Sequence, residues 1–166
     1  MTVAESVLHR LERVVLDSDT TPSLSPFIEA DREQAVADLA RSNHFAPLAG
    51  ITAPGPFVLR LSIREGRLIF DIRDRLDSPL IAIGLALGPF RRLVKDYQLL
   101  VDSHIMAVEE GRESRIQAID MGRRGLHNEG ADLMRQRLDG KISMDFDTAR
   151  RLFTLVCVLH QKVSAR

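Results

Sequence analysis

The stretch FVLRLSIREGRLIFDIR, residues 57–73, decides the fold class. Phe57, Leu59, Leu61 and Ile63 fall on one side of an extended chain, with Arg60 and Ser62 on the other. After Glu65-Gly66, a two-residue turn signal, Leu68, Phe70 and Ile72 alternate again with Arg67, Ile69, Asp71 and Arg73. Period-two alternation on both sides of such a turn predicts a β-hairpin with one buried face. DRLDSP makes a further turn, and Leu80 to Leu87 reads as a third strand. That strand is apolar on both faces, the pattern of a central strand. A meander over about 57–87 follows.

Helical signals surround the meander. Downstream, Gly88-Pro89 stops the third strand, and Phe90, Leu93, Val94, Tyr97, Leu100, Val101, Ile105 and Val108 recur at three-four spacing. This predicts a helix over 89–110, ended by Gly111, with Tyr97 in the core and its hydroxyl reaching the surface. Ser114 to Leu138 is a second helical pattern, closed by Asp139-Gly140. Lys141 to Met144 is a short strand or a connector. Asp145 caps a last helix over 146–161, apolar around most of its circumference and so the expected centre of the core. Upstream, Leu11 to Asp17 reads as a short strand, and SDTTPSLSP as a loop. Ser25-Pro26 starts a helix, with Asp31 and Gln34 at capping-box spacing as a second start signal. HFAPLAGITAPGP, with three prolines and two glycines, reads as a loop.

These elements predict an α+β fold within a single domain, 1–166, whose first 25 residues are partly loop-like. A three- to four-stranded, mainly antiparallel sheet carries three to four helices, with the C-terminal ones packed on one face. A length of 166 residues suits one domain. A composition 45% hydrophobic and 28% charged is that of an ordinary globular protein. The formal net charge is zero, which lowers the expectation of nucleic-acid binding. Residues 1–56 nevertheless hold four basic against eight acidic side chains. Either internal pairing or a self-complementary oligomer would use that imbalance. A single cysteine, Cys157, excludes an intrachain disulfide and fits a reducing compartment. No apolar run reaches signal or membrane-spanning length. The expected location is the cytoplasm, with no membrane partner.

The chemistry-bearing residues concentrate in DMGRRGLHNEGADLM, residues 120–134. On a helix, Ile119, Gly122, Leu126, Gly130 and Leu133 share an arc of roughly eighty degrees. Two glycines therefore lie in the apolar stripe, which predicts close approach of a neighbouring backbone, in a helix or the sheet. Asp120, Arg123 and His127 form a half-buried row along one edge, three and four residues apart. Glu129 falls on the opposite edge, and Arg124 and Asn128 face outward.

The leading reading of this row is a polar network at the rim of the core. The alternative is an anion site or acid–base pair, with His127 as proton carrier and Arg123 as anchor. No zinc spacing accompanies the histidine, and no metal or cofactor is implied. A helix-turn-helix fails because Arg123 and Asn128 occupy positions that need apolar residues. Gly122 to Gly125 lies within a helical pattern and makes a poor phosphate cradle.

Elsewhere the bland readings lead. His104 reads as a satisfied core histidine, Cys157 as a buried thiol, and His160 as a complement to its helix's C-terminal dipole. Arg60, Arg64, Arg67 and Arg73, interrupted by Glu65, Asp71 and Asp74, favour cross-strand pairing over a nucleic-acid platform. Arg150-Arg151 is a weak anion signal.

The strings RLIFDIRD, PFRRLVKDY, AIDMGRRGLHNEGA and DFDTARRLFTLVCVLH together resemble an alphaproteobacterial family, number 0262 among the uncharacterised protein families, over about residues 57–160. The resemblance implies a bacterial cytosolic protein and transfers no functional residue. With no catalytic signature, the expected function is a binding or regulatory module acting through contact with a protein or a second copy of itself. The alternative is a small anion-binding protein or enzyme using Asp120, Arg123 and His127, and weak nucleic-acid binding comes third.

Overall fold

The computed structural model describes residues 8–17, 25–48 and 53–164. Its elements are β1 (Leu11–Leu16), α1 (Pro26–Arg41), β2 (Phe45–Pro47), β3 (Phe57–Arg64), β4 (Arg67–Arg73), β5 (Pro79–Ala86), a 3-10 turn (Gly88–Phe90), α2 (Arg91–Glu109), α3 (Glu113–Arg137), β6 (Ile142–Met144) and α4 (Phe146–Ser164). The fold is α+β. Most of the loop expected over 18–26 lies outside the described residues.

The hairpin forms as its alternation requires. Glu65 and Gly66 both adopt positive φ, 52° and 73°, as a two-residue turn matched to strand twist needs. Leu59 pairs with Ile72, Leu61 with Phe70 and Ile63 with Leu68. Except for the half-buried Ile63, these side chains are fully buried against the helices. The sheet order is β1-β3-β4-β5. Its β3-β4-β5 part is antiparallel, whereas β1 runs parallel to β3. β1 therefore reaches β3 through a crossover that contains α1, as parallel neighbours require.

β5 lies at the edge of the sheet and not at its centre. Its inner side chains, Ile81, Ile83 and Leu85, pair with the buried residues of β4, while Ala82, Gly84 and Ala86 face outward. Small residues thus produced an apolar run that periodicity alone equates with two covered faces. A second correction concerns Phe45–Pro47. Read as loop, it forms a two-stranded antiparallel ladder with Ile142–Met144. Three residues are too few to show a period, and the pairing partner lies about a hundred residues away in the chain.

Two helix starts and one helix end fall on their sequence signals. The Ser25 side chain accepts from Ile28 N–H at the start of α1, with Pro26 as its first residue. Asp145 Oδ1 accepts from Thr148 N–H at the start of α4. Gly111, at φ 68°, closes α2 in a Schellman motif, with Gly111 N–H on Val108 O and Arg112 N–H on Ala107 O. α4 is the centre of the core, and every residue from Leu152 to Leu159 is buried.

The apolar stripe of α2 is covered only in part. Leu93, Val94, Tyr97 and Val101 are buried, but Ile105 and Val108, expected in the core, are exposed. They lie on the last two turns, where Ala107 between them is buried and takes the inward position. Acids of the N-terminal third pair internally with the rest of the chain: Asp17 with Arg64, Glu12 with Arg75, Asp31 with Arg123 and Asp38 with Arg151.

The glycines of α3 admit side chains, not a backbone. A β-carbon on Gly130 would stand 2.1 Å from the Phe153 ring of α4. At Gly122 the nearest atom is the Leu100 side chain at 3.3 Å, and at Gly125 nothing lies within 4 Å. Gly130→Ala should therefore destabilise the fold by on the order of 3 kcal/mol through overpacking. Gly125→Ala should stabilise it by up to about 1 kcal/mol, because the glycine's helix penalty is removed without a clash. Chemical denaturation of the two variants beside the parent measures both signs.

Candidate functional site

Three elements place side chains around one carboxylate. On α1, Ile28, Ala35 and Leu39 form the buried stripe, and Asp31 occupies the same stripe one turn after Ile28. Asp31 is not a helix cap, since α1 has already begun at Pro26. Helical spacing instead turns its carboxylate inward, 5% exposed, and a buried charge must be matched by donors.

The donors come from α2 and α3. The Tyr97 hydroxyl donates to Asp31 Oδ2 at 2.9 Å, and His127 Nε2 lies 3.0 Å from the same oxygen. Arg123 Nη1 donates to Asp31 Oδ1 at 2.7 Å. Arg123 also donates from Nε at 3.1 Å, and from Nη2, to Asp120 Oδ1. Arg124 reaches the other Asp120 oxygen at 3.3 Å. The predicted row Asp120, Arg123, His127 is thus contiguous, and Asp31 and Tyr97 complete it. Tyr97 is fully buried, so its hydroxyl ends on Asp31 and not at the surface.

Asn128 and Glu129 belong to other contacts. Asn128 Oδ1 accepts from Arg150 Nε at 2.8 Å, and Glu129 pairs with Arg92 of α2. The hairpin arginines expected to pair across strands pair instead with the β4–β5 turn and within β4, Arg60 with Asp77 and Arg73 with Asp71 and Asp77.

Burial opposes the charge on Asp31, but the His127 hydrogen bond and charge, Arg123 and Tyr97 outweigh it and hold the carboxyl below its ordinary value of 3.8. Burial, reinforced by Asp31, pushes the Tyr97 hydroxyl well up. Burial alone would weaken the Arg123 cation, yet Asp120 and Asp31 raise its pKa. Burial lowers that of His160, which disfavours the cation that a dipole role would need. Cys157 is fully buried, and burial raises its thiol well above the ordinary range, away from the reactive thiolate.

His127 is 1% exposed, and its Nδ1 is buried without a hydrogen-bond partner among the described residues. A general base must come within hydrogen-bond reach of the proton it takes, and this ring offers no such approach in the present conformation. Arg123 is committed to two carboxylates. Among the described residues, no three His, Cys, Asp or Glu side chains converge as metal ligands. No described helix is long and apolar enough to cross a membrane.

Beside the network lies an open cleft of about 780 Å³ between α1 and the first half of α3. Phe27 and Ala30 line one wall, Ile116, Gln117 and Met121 the other. Asp31, Asp120 and Arg123 contribute to its lining. His104, read as a core residue, is half-buried and also lines the cleft, with its ring centroid 4.6 Å from that of Phe27. The Asp31–Arg123 pair ties α1 to α3 beside this cleft.

The sequence profile of an uncharacterised protein family (UPF0262) matches residues 8–162. The chain belongs to this family. It is 65% identical over 160 residues to a UPF0262 protein of Granulibacter bethesdensis, covering 93% of this chain and 91% of that one. It is 58% identical over 159 residues to one of Acidiphilium cryptum, covering 96% and 97%. A third, from Nitrobacter hamburgensis, is 47% identical over 158 residues, 95% of each chain. No solved structure matches. The family match extends well upstream of residue 57 and takes in α1 with Asp31.

Asp31→Asn should destabilise the protein by on the order of 3 kcal/mol at neutral pH, because it leaves Arg123 without one of its two carboxylates in a desolvated site. The sign with pH follows from the lowered carboxyl. Its contribution is fully present above the unfolded value of 3.8 and is lost as pH falls through the lower folded value. Melting temperatures of parent and variant should therefore differ most near neutrality and converge as pH drops below about 4.

Proposed function

We propose that this chain is a bacterial cytoplasmic binding module that acts through protein contact, with the cleft between α1 and α3 as its working surface. The observation that carries the reading is an apolar, open cleft beside a rigid ionic tie. Its volume lies within the range of concave binding sites, and apolar walls with a few polar groups are their usual lining. Met121, in one wall, is 72% exposed. Val108, one turn beyond His104 on the same side of α2, is 54% exposed. A helix that offers exposed apolar residues outside its own core contacts is suited to pack against another chain.

The occupant that fits is an amphipathic helix of a partner protein. Two helices already form the walls, and a third laid between them would bury Phe27, Ile116 and Met121 with its apolar side chains. Gln34 and Gln117 supply amides that can bond polar groups along the edges of that helix. Handling of a small anion by the Asp120, Arg123 and His127 row has weaker support, since His127 is out of solvent and Arg123 is paired on two sides.

A photo-crosslinking residue placed at Gln117 in living cells tests the reading. It should yield a distinct covalent partner, which disappears when Met121→Glu is added. The same residue at Leu76, exposed on the β4–β5 turn outside the cleft, should not capture that partner. Capture of the same proteins from both positions, or none from Gln117, overturns the proposal.

A further inference from the structure

The two edges of the main sheet are treated differently. At the β1 edge, Asn43 holds Leu11 from both sides of its backbone, accepting from Leu11 N–H at 2.7 Å and donating to Leu11 O at 2.9 Å. His9 O accepts from Phe45 N–H at 2.9 Å. The chain itself thus occupies the start of that edge.

β5 forms the other edge, and no strand among the described residues pairs with its outer side. Which of its backbone groups face outward follows from the hairpin. In a two-residue hairpin the flanking residues, Arg64 and Arg67, exchange both backbone bonds. Alternation then turns the N–H and C=O of Leu68, Phe70 and Ile72 towards β5, where Leu85, Ile83 and Ile81 pair with them. The backbone groups of Ala82, Gly84 and Ala86 are left pointing away from the sheet. The eight residues Pro79 to Ala86 include no charge. An uncharged edge, regular in its pairing from Ile81 to Ala86, is a template for another strand.

One cation lies across it. The Arg67 side chain leaves β4 on the outward face, crosses β5 over Gly84, and donates from Nη2 to Gly84 O at 3.2 Å. Any side chain here would make the guanidinium shift from this path. A β-carbon at residue 84 would stand 2.9 Å from Arg67 Nη2 and 3.2 Å from Cζ. The guanidinium therefore occupies the middle outward carbonyl of the open edge and sets a positive charge beside it.

We propose that Arg67, admitted by Gly84, guards the β5 edge against antiparallel pairing with β5 of a second copy of this chain. A second copy is the partner this edge fits. A two-fold axis would set Ala82, Gly84 and Ala86 against the same small residues, with no charge or bulk to keep the backbones apart. With Arg67 in place, that pairing would bring two guanidinium groups together across the axis and remove a carbonyl from the ladder.

The test compares Arg67→Ser, Gly84→Ala and, as a control, Arg64→Ser, which removes a neighbouring arginine that pairs with Asp17 and does not cap the edge. Sedimentation equilibrium of Arg67→Ser and Gly84→Ala should show a weight-average mass rising with concentration to twice that of the parent. Arg64→Ser should stay at the parent's mass. Hydrogen exchange should show the Ala82 and Gly84 amides slowed several-fold in the associated variants. If either edge variant keeps the parent's mass at every concentration, if Arg64→Ser associates equally, or if association leaves those amides exchanging as in the parent, the proposal fails.

Discussion

A carboxylate set in the apolar stripe of a helix must be met by hydrogen-bond donors, and Asp31 is met by three. Tyr97 comes from α2, and Arg123 and His127 come from α3. One ionised group thereby joins three helices, α1, α2 and α3. Coulomb attraction in a desolvated site is strong, and so is the penalty for leaving one partner alone. The pair Asp31–Arg123 therefore works as a constraint on the relative placement of α1 and α3. Packing of Phe153 into the space left by Gly130 fixes the same helix against α4.

This arrangement sets what the cleft can be. Its charged lining residues, two carboxylates and one guanidinium, are paired among themselves, and its walls are largely apolar. Such a surface favours apolar contact with directional polar edges over the capture of a free ion. One edge of the sheet is clipped by Asn43, and at the other Arg67 donates to the Gly84 carbonyl.

Much of the candidate site was legible in sequence, and its centre was not. Asp120, Arg123 and His127 are close in the chain, and helical spacing alone places them in a row. Asp31 lies 92 residues before Arg123, and its spacing to Gln34 imitates a capping box. The signal that would have found it is the run Ile28, Asp31, Ala35, Leu39, an acid at a position where a stripe calls for an apolar side chain. A single unmatched charge in a stripe announces a partner but does not name it. His104, Ile105 and Val108 were misplaced for a related reason. Periodicity tells which side of a helix is apolar, but not which part of that side the neighbours cover: on the last turns they bury Ala107 and leave Ile105 and Val108 exposed.

The sequence by itself determined the elements whose causes are local: the hairpin at Glu65-Gly66, the glycine that closes α2, the caps at Ser25 and Asp145, and the central place of α4. Turn dihedrals, caps and amphipathic stripes depend on residues a few positions apart, so they can be read in order along the chain. Tertiary structure alone decided the parallel pairing of β1 with β3, the edge position of β5, the ladder between Phe45–Pro47 and Ile142–Met144, and the burial of Asp31 among its donors. Each of these joins segments distant in sequence, where the chain carries no local record of which groups will meet, and the choice falls to the packing that satisfies every buried polar group together.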